Sequence, residues 1–134
     1  MKKIFGEKLA AVLFILLFSA AMFACKAANG KNAEISGTVV FKDFYGAPNY
    51  GENSETDKIE RLPILVLEKP FEAKIEGEKI SVKEIQVIIK DAAIREQEFG
   101  NKKAVVKGEI SKSQTGHHHT DFVIFAESVY LKNR

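Results

Sequence analysis

The chain has 134 residues, 46% apolar and 28% charged, with a formal net charge of +2. That length suits a single domain with a core of its own. Its only cysteine, Cys25, excludes an intrachain disulfide.

The N-terminus reads as a targeting segment. Lys2, Lys3 and Lys8 precede an apolar run from Leu9 to Cys25 that only Ser19 interrupts. A basic start, an apolar stretch and small residues at its end describe a secretory signal peptide over residues 1–24. The rival is a membrane-spanning helix, but the run falls short of the roughly 20 residues a span needs. Ala21-Met22-Phe23-Ala24-Cys25 resembles a bacterial lipobox, which makes Cys25 a lipidation site and the mature N-terminus. The alternative is cleavage after Ser19-Ala20-Ala21 with Cys25 as a passenger. A free thiol in an oxidising compartment is a liability and an acylated one is not. The expectation is therefore an exported protein, periplasmic or at the cell surface, held to the membrane by its N-terminal lipid. Loss of residues 1–24 removes Lys2, Lys3, Lys8 and Glu7 and leaves 17 basic against 17 acidic side chains. No basic excess remains for a phosphate backbone, which argues against a nucleic-acid partner.

Residues 25–33 are small and polar and read as a tether, and residues 34–134 read as the domain. Ile35 to Lys42 is rich in β-branched residues and predicts the first strand, with Gly37 suggesting a bulge or a tight bend. Tyr45 to Asp57 holds Gly46, Pro48, Asn49, Gly51 and Asn53, the composition of a long loop. Ile59 to Glu68 predicts a strand in which Pro63 limits pairing on one side, and Pro70 ends it. Phe71 to Ile75 is a short strand candidate, and Glu76-Gly77-Glu78-Lys79 turns the chain. Lys83 to Lys90, with Ile85-Gln86-Val87-Ile88-Ile89, has a buried-strand pattern. Asp91 to Phe99 is the one helix candidate, with Asp91 as N-cap and Gly100 as C-terminal stop. Lys102 to Ile110 and Asp121 to Ala126 predict two more strands, the last continuing through Val129-Tyr130-Leu131. Five strands with a short helix between the third and fourth predict a mostly β, small five-stranded OB-like barrel. A β-sandwich fragment with a surface helix is the alternative.

Five blocks carry a resemblance. They are Gly46-Ala47-Pro48-Asn49-Tyr50-Gly51-Glu52 with Asp57, Leu65 to Pro70, Val82 to Val87, Gly100 through Val106 to Gly108, and Thr115-Gly116-His117-His118-His119-Thr120. In this order they resemble domain of unknown function 4431, a bacterial family of exported proteins, over about residues 36–131. Ala47 stands where that pattern has a second proline. The resemblance implies a small exported β-domain and marks two loops as its signature, with no activity attached.

All three histidines lie in one of those loops, and imidazole is both a metal ligand and a hydrogen-bonding group. If residues 117–121 are extended, His117, His119 and Asp121 share one face and His118 takes the other. That trio is a candidate set for a divalent metal such as zinc, completed by Glu52, Asp57 or Asp43, since a closed site needs four ligands. The alternative is that the imidazoles bond to loop backbone or contact a ligand. Asn49 offers an Asx turn or a left-handed conformation, and Tyr50 a flat face for stacking. In an OB barrel the loop after the first strand and the loop before the last share a rim that binds ligands. Asn49, Tyr50, His117, His118 and His119 are thus the candidate ligand-binding residues.

No Gly-x-Ser-x-Gly, phosphate loop or His-Glu-x-x-His is present. Ser111, Ser113 and Thr115 flank the histidines, but no acid to orient a histidine base is evident from sequence. Phe41, Phe44, Phe71, Phe99, Phe122 and Phe125 read as core. The expected function is a non-catalytic binding module in the cell envelope that uses loops 45–57 and 112–121 on an envelope protein or small ligand. The alternatives are a metal-binding envelope protein, carrier or metal-dependent hydrolase, built on His117 and His119, and an assembly domain that pairs through its edge strands.

Overall fold

The computed structural model describes residues 33–90 and 92–133. The expected signal peptide, the Cys25 lipidation site, residues 25–32 of the tether and the Asp91 cap lie outside the described residues. Five strands carry the fold: β1 (Ala33–Tyr45), β2 (Ile59–Ile75), β3 (Glu78–Ile89), β4 (Lys102–Lys112) and β5 (Phe122–Leu131), with α1 (Glu96–Phe99) between β3 and β4. They close into a barrel in the order β1-β2-β3-β5-β4. β1 pairs antiparallel with both β2 and β4, and β3 runs parallel to β5. This is the connectivity that the strand order predicted for an OB-like barrel. Among the described residues no helix is long and apolar enough to cross a membrane.

Inward positions alternate along each strand and fill the barrel with Val39, Leu65, Ile85, Val87, Val106, Ile110, Phe122 and Ile124. The two expected pieces of β2 are one strand. Glu68-Lys69-Pro70 forms an irregularity where the register to β3 shifts between Val66 and Phe71. Gly37 makes no bulge, because register runs through it unbroken to Leu67 and Ala104. A side chain there would strike the Val66 carbonyl oxygen, so close backbone approach explains the glycine. Gly108 is alike, against the Phe125 carbonyl, beside the register shift that bends β4 and β5.

The helix is shorter than expected. Arg95 is extended (φ −84°, ψ 128°), and only Glu96–Phe99 is helical. The apolar residues Ala92, Ala93 and Ile94 line a surface groove instead, and Ile94 packs against the core. Tertiary packing overrides the local helix preference there. Gly100 closes the helix through its N–H to the Glu96 carbonyl at 2.7 Å, while the left-handed residue is Asn101 (φ 60°).

One row departs from an ordinary barrel. Ile64, Gln86 and Val123 stand side by side on β2, β3 and β5. They are buried yet are not among the residues that fill the interior. They sit on the outer face, and the histidine loop bonds to Gln86 at the centre of the row.

Candidate functional site

The loop from Gly46 to Lys58 is held by one carboxylate. Asp57 accepts the Asn49 N–H through Oδ1 and the Gly51 N–H through Oδ2, each at 2.7 Å. Desolvation is the largest single influence on this carboxyl and pushes its pKa up. The N–H groups of Gly51, Asn49 and Asn53, with the Asn49 side chain, together outweigh it and hold the pKa below the ordinary value. Asn49 also donates from its side chain to the Thr56 hydroxyl at 3.1 Å. It therefore faces its own loop, and the left-handed conformation expected of it belongs to Tyr50 (φ 52°). A bulky residue in that region is strained and must be held by its surroundings.

The surroundings are the histidine loop. The Tyr50 hydroxyl lies 3.3 Å from His117 Nε2, and the two rings meet edge to face at 5.4 Å between centroids. A side chain at Gly116 would come within 2.8 Å of the Tyr50 ring, so any larger residue there forces that ring to shift. Behind them stands Glu60, at the start of β2. Its Oε1 accepts from His117 Nδ1 at 2.8 Å and its Oε2 meets His119 Nε2 at 3.3 Å. His119 also stacks on Phe44, with centroids 4.4 Å apart and planes 13° from parallel.

His117 and His119 thus share Glu60 as a partner. Residues 117–121 are not extended. The His118 N–H bonds back to the Thr115 carbonyl at 3.0 Å and makes a turn. The strand alternation that grouped Asp121 with them does not apply. Asp121 joins the loop through its carbonyl, which accepts the Ser113 N–H at 3.0 Å. Of the other metal-ligand candidates, Asp57 is committed to backbone N–H groups and Asp43 pairs with Arg61 at 2.9 Å. Among the described residues no group of three or more His, Cys, Asp or Glu is arranged to hold a metal ion.

Gln86 fixes the loop to the barrel. It is 4% exposed, the only buried polar side chain among the described residues. Its Nε2 donates to the His117 carbonyl at 3.0 Å and its Oε1 accepts the His119 N–H at 2.8 Å. Its own N–H donates to the Thr120 hydroxyl at 2.9 Å, and that hydroxyl donates to the Phe122 carbonyl at 2.6 Å. A buried amide so fully bonded positions a loop with little freedom. The Ser113 hydroxyl donates to the Thr120 carbonyl, so it serves the loop's structure. The acid that sequence did not reveal beside a histidine is Glu60, and the hydroxyl on the far side of that imidazole is the phenol of Tyr50.

Below the histidines an open groove of about 560 Å³ runs between β2 and β3. His117, His118, Glu60 and Gln86 form its polar end. Leu62, Ile88, Ile94 and Phe125 line the apolar part. Phe125, expected in the core, is 43% exposed here because it occupies an outward position of β5. The His118 ring meets its edge at 6.1 Å. Arg61 borders the groove clamped between Glu96 (2.6 Å) and Asp43 (2.9 Å), which raises its pKa further, the Glu96 bond contributing most.

Residues 84–129 match the model of a family of unknown function. The family is DUF4431. The matched segment runs from β3 into β5, so it contains Gln86, all three histidines and Thr120. Tyr50 and Glu60, which complete the site, lie before the DUF4431 match. No curated protein matches the chain.

Proposed function

We propose that this chain is an exported, cell-envelope binding protein, anchored by lipid at Cys25, whose barrel presents the Tyr50 and histidine loops to a ligand without catalysing a reaction on it. The observation that carries the reading is the bond between Tyr50 and His117. It unites two loops 67 positions apart in sequence at one rim. A rim locked before binding loses less freedom on capture than two independent loops. Tyr50 remains 42% exposed, which leaves part of its surface open to a ligand.

The test uses the full chain in a bacterial host with a photoreactive phenylalanine analogue at the exposed loop position 52, which keeps the Tyr50–His117 bond, or, as a control, at position 79 beside the β2–β3 hairpin. The expected result is a discrete cross-linked product from position 52 that position 79 does not give and that His117→Ala removes. Equal products from both positions would contradict the reading. The anchor is tested separately by mass spectrometry of the mature N-terminus, which should begin at an acylated Cys25 and lose the acyl mass in Cys25→Ser.

A further inference from the structure

We propose that the groove between β2 and β3 receives an extended peptide whose apolar side chains are flanked by Lys or Arg. The inference rests on the binding-module reading and names the ligand.

The floor of the groove is the first reason. The outer face of a small barrel is ordinarily polar, because only the inner face is buried. Here the outward positions of three strands, Leu62, Ile88 and Phe125, are apolar. The histidine loop bonds to Gln86 and reaches that row only at its edge, where the His118 ring meets Phe125 at 6.1 Å. An apolar floor rimmed by polar groups marks a contact site.

Backbone pairing is the second. The β2–β3 ladder ends at Ile64 and Gln86. Beyond it, Ile59–Pro63 have partners only on β1, and Val87–Ile89 only on β5. Each strand leaves one flank without a strand partner along the groove. Extended peptides bind such flanks by adding main-chain hydrogen bonds, and their alternate side chains enter the pockets below.

Polar chemistry supplies the rest. His118 Nδ1 accepts the Gln114 N–H at 3.0 Å, which places the ring proton on Nε2. That N–H has no partner among the described residues and sits in the groove wall, matched to a peptide carbonyl. The charges around the groove are acidic in balance. Arg61, which lines it, and Lys90 and Arg95 beside its wall are outnumbered by Asp43, Glu60, Glu96 and Glu98, and the loop 46–58 adds Glu52, Glu55 and Asp57 against Lys58. This field draws in flanking cations and repels a carboxylate head, which disfavours fatty acids.

The experiment uses the full chain in nanodiscs of zwitterionic phosphatidylcholine, which does not itself attract cations. The probes are a dye-labelled, end-capped peptide Lys-Leu-Val-Leu-Lys, its Glu-flanked counterpart and a fluorescent fatty acid, followed by anisotropy. The Lys-flanked peptide should bind at least tenfold more tightly than the other two, and Phe125→Lys should weaken it at least tenfold. If Phe125→Lys does not fold, Leu62→Lys is read in its place. Equal binding of the two peptides, preference for the fatty acid, or indifference to the groove substitution would overturn the proposal. If the peptide fails while the probe at position 52 still captures a product, the groove inference falls and the binding module stands. If both fail, both fall.

Discussion

Two turns of this barrel are built in opposite ways. The hairpin joining β2 to β3 turns through Glu76 (φ 52°) and Gly77 (φ 89°), and the strand ladder from Ile75 and Glu78 onward holds it. A side chain added at Gly77 would meet nothing within 4 Å. The histidine loop is held by side chains from four distant places: Tyr50, Glu60, Gln86 and Phe44. A side chain at its Gly116 would strike the Tyr50 ring. A turn that only reverses the chain needs backbone freedom. A turn that must present groups in one arrangement needs long-range partners, and the molecule places these at the rim.

Substitutions on both sides should separate the two designs. Gln86→Leu has the largest expected effect. It strands the His117 carbonyl and His119 N–H, and should destabilise the domain by about 2–4 kcal/mol in denaturant titrations. Amide exchange should rise across residues 114–120 and stay unchanged at residues 72–81. Gly116→Ala comes next, at about 1–3 kcal/mol from overpacking against Tyr50. Tyrosine fluorescence should report the displaced ring. Gly77→Ala meets only the unfavourable positive φ and should cost about 1 kcal/mol without altering the rim. Glu76→Asn suits the same left-handed position and should stabilise by a few tenths of a kcal/mol. The strands should therefore tolerate change at the hairpin and resist it at the rim.

Asp57 adds a pH dependence to the rim alone. Its carboxyl titrates lower in the folded chain than its ordinary value of 3.8. The charged form therefore stabilises the fold, fully so above that ordinary value. The contribution is lost as pH falls through the lower folded pKa. The stability gap between the unsubstituted chain and Asp57→Asn should be largest at pH 5–7 and shrink below about pH 4. A gap that grows toward low pH would contradict the assignment.

Much of the barrel was legible in sequence because β-branched runs and turn residues report local geometry. The strand order and the single short helix followed from them. The helix start was not legible, since Ala92-Ala93-Ile94 suit a helix in isolation and are claimed by the groove wall instead. Strand alternation groups His117 with His119 only if the segment is extended, and a turn at Thr115–His118 replaces that geometry. Asp121 was grouped with them on that same alternation and does not share their partner. Glu60 gave no signal, because a charge next to a long loop is ordinary. Gln86 did give one: it is the lone polar residue within Ile85-Gln86-Val87-Ile88-Ile89, and a buried amide in such a run needs partners from elsewhere.

The most direct test of a common rim is a pair of ¹H–¹⁵N spectra, of the unsubstituted chain and His117→Ala, in the same nanodiscs. Shifts should move in both residues 46–57 and residues 113–121, with residues 72–81 unmoved. Changes confined to residues 113–121 would show that the tyrosine loop stands without the imidazole, and the shared site would be lost.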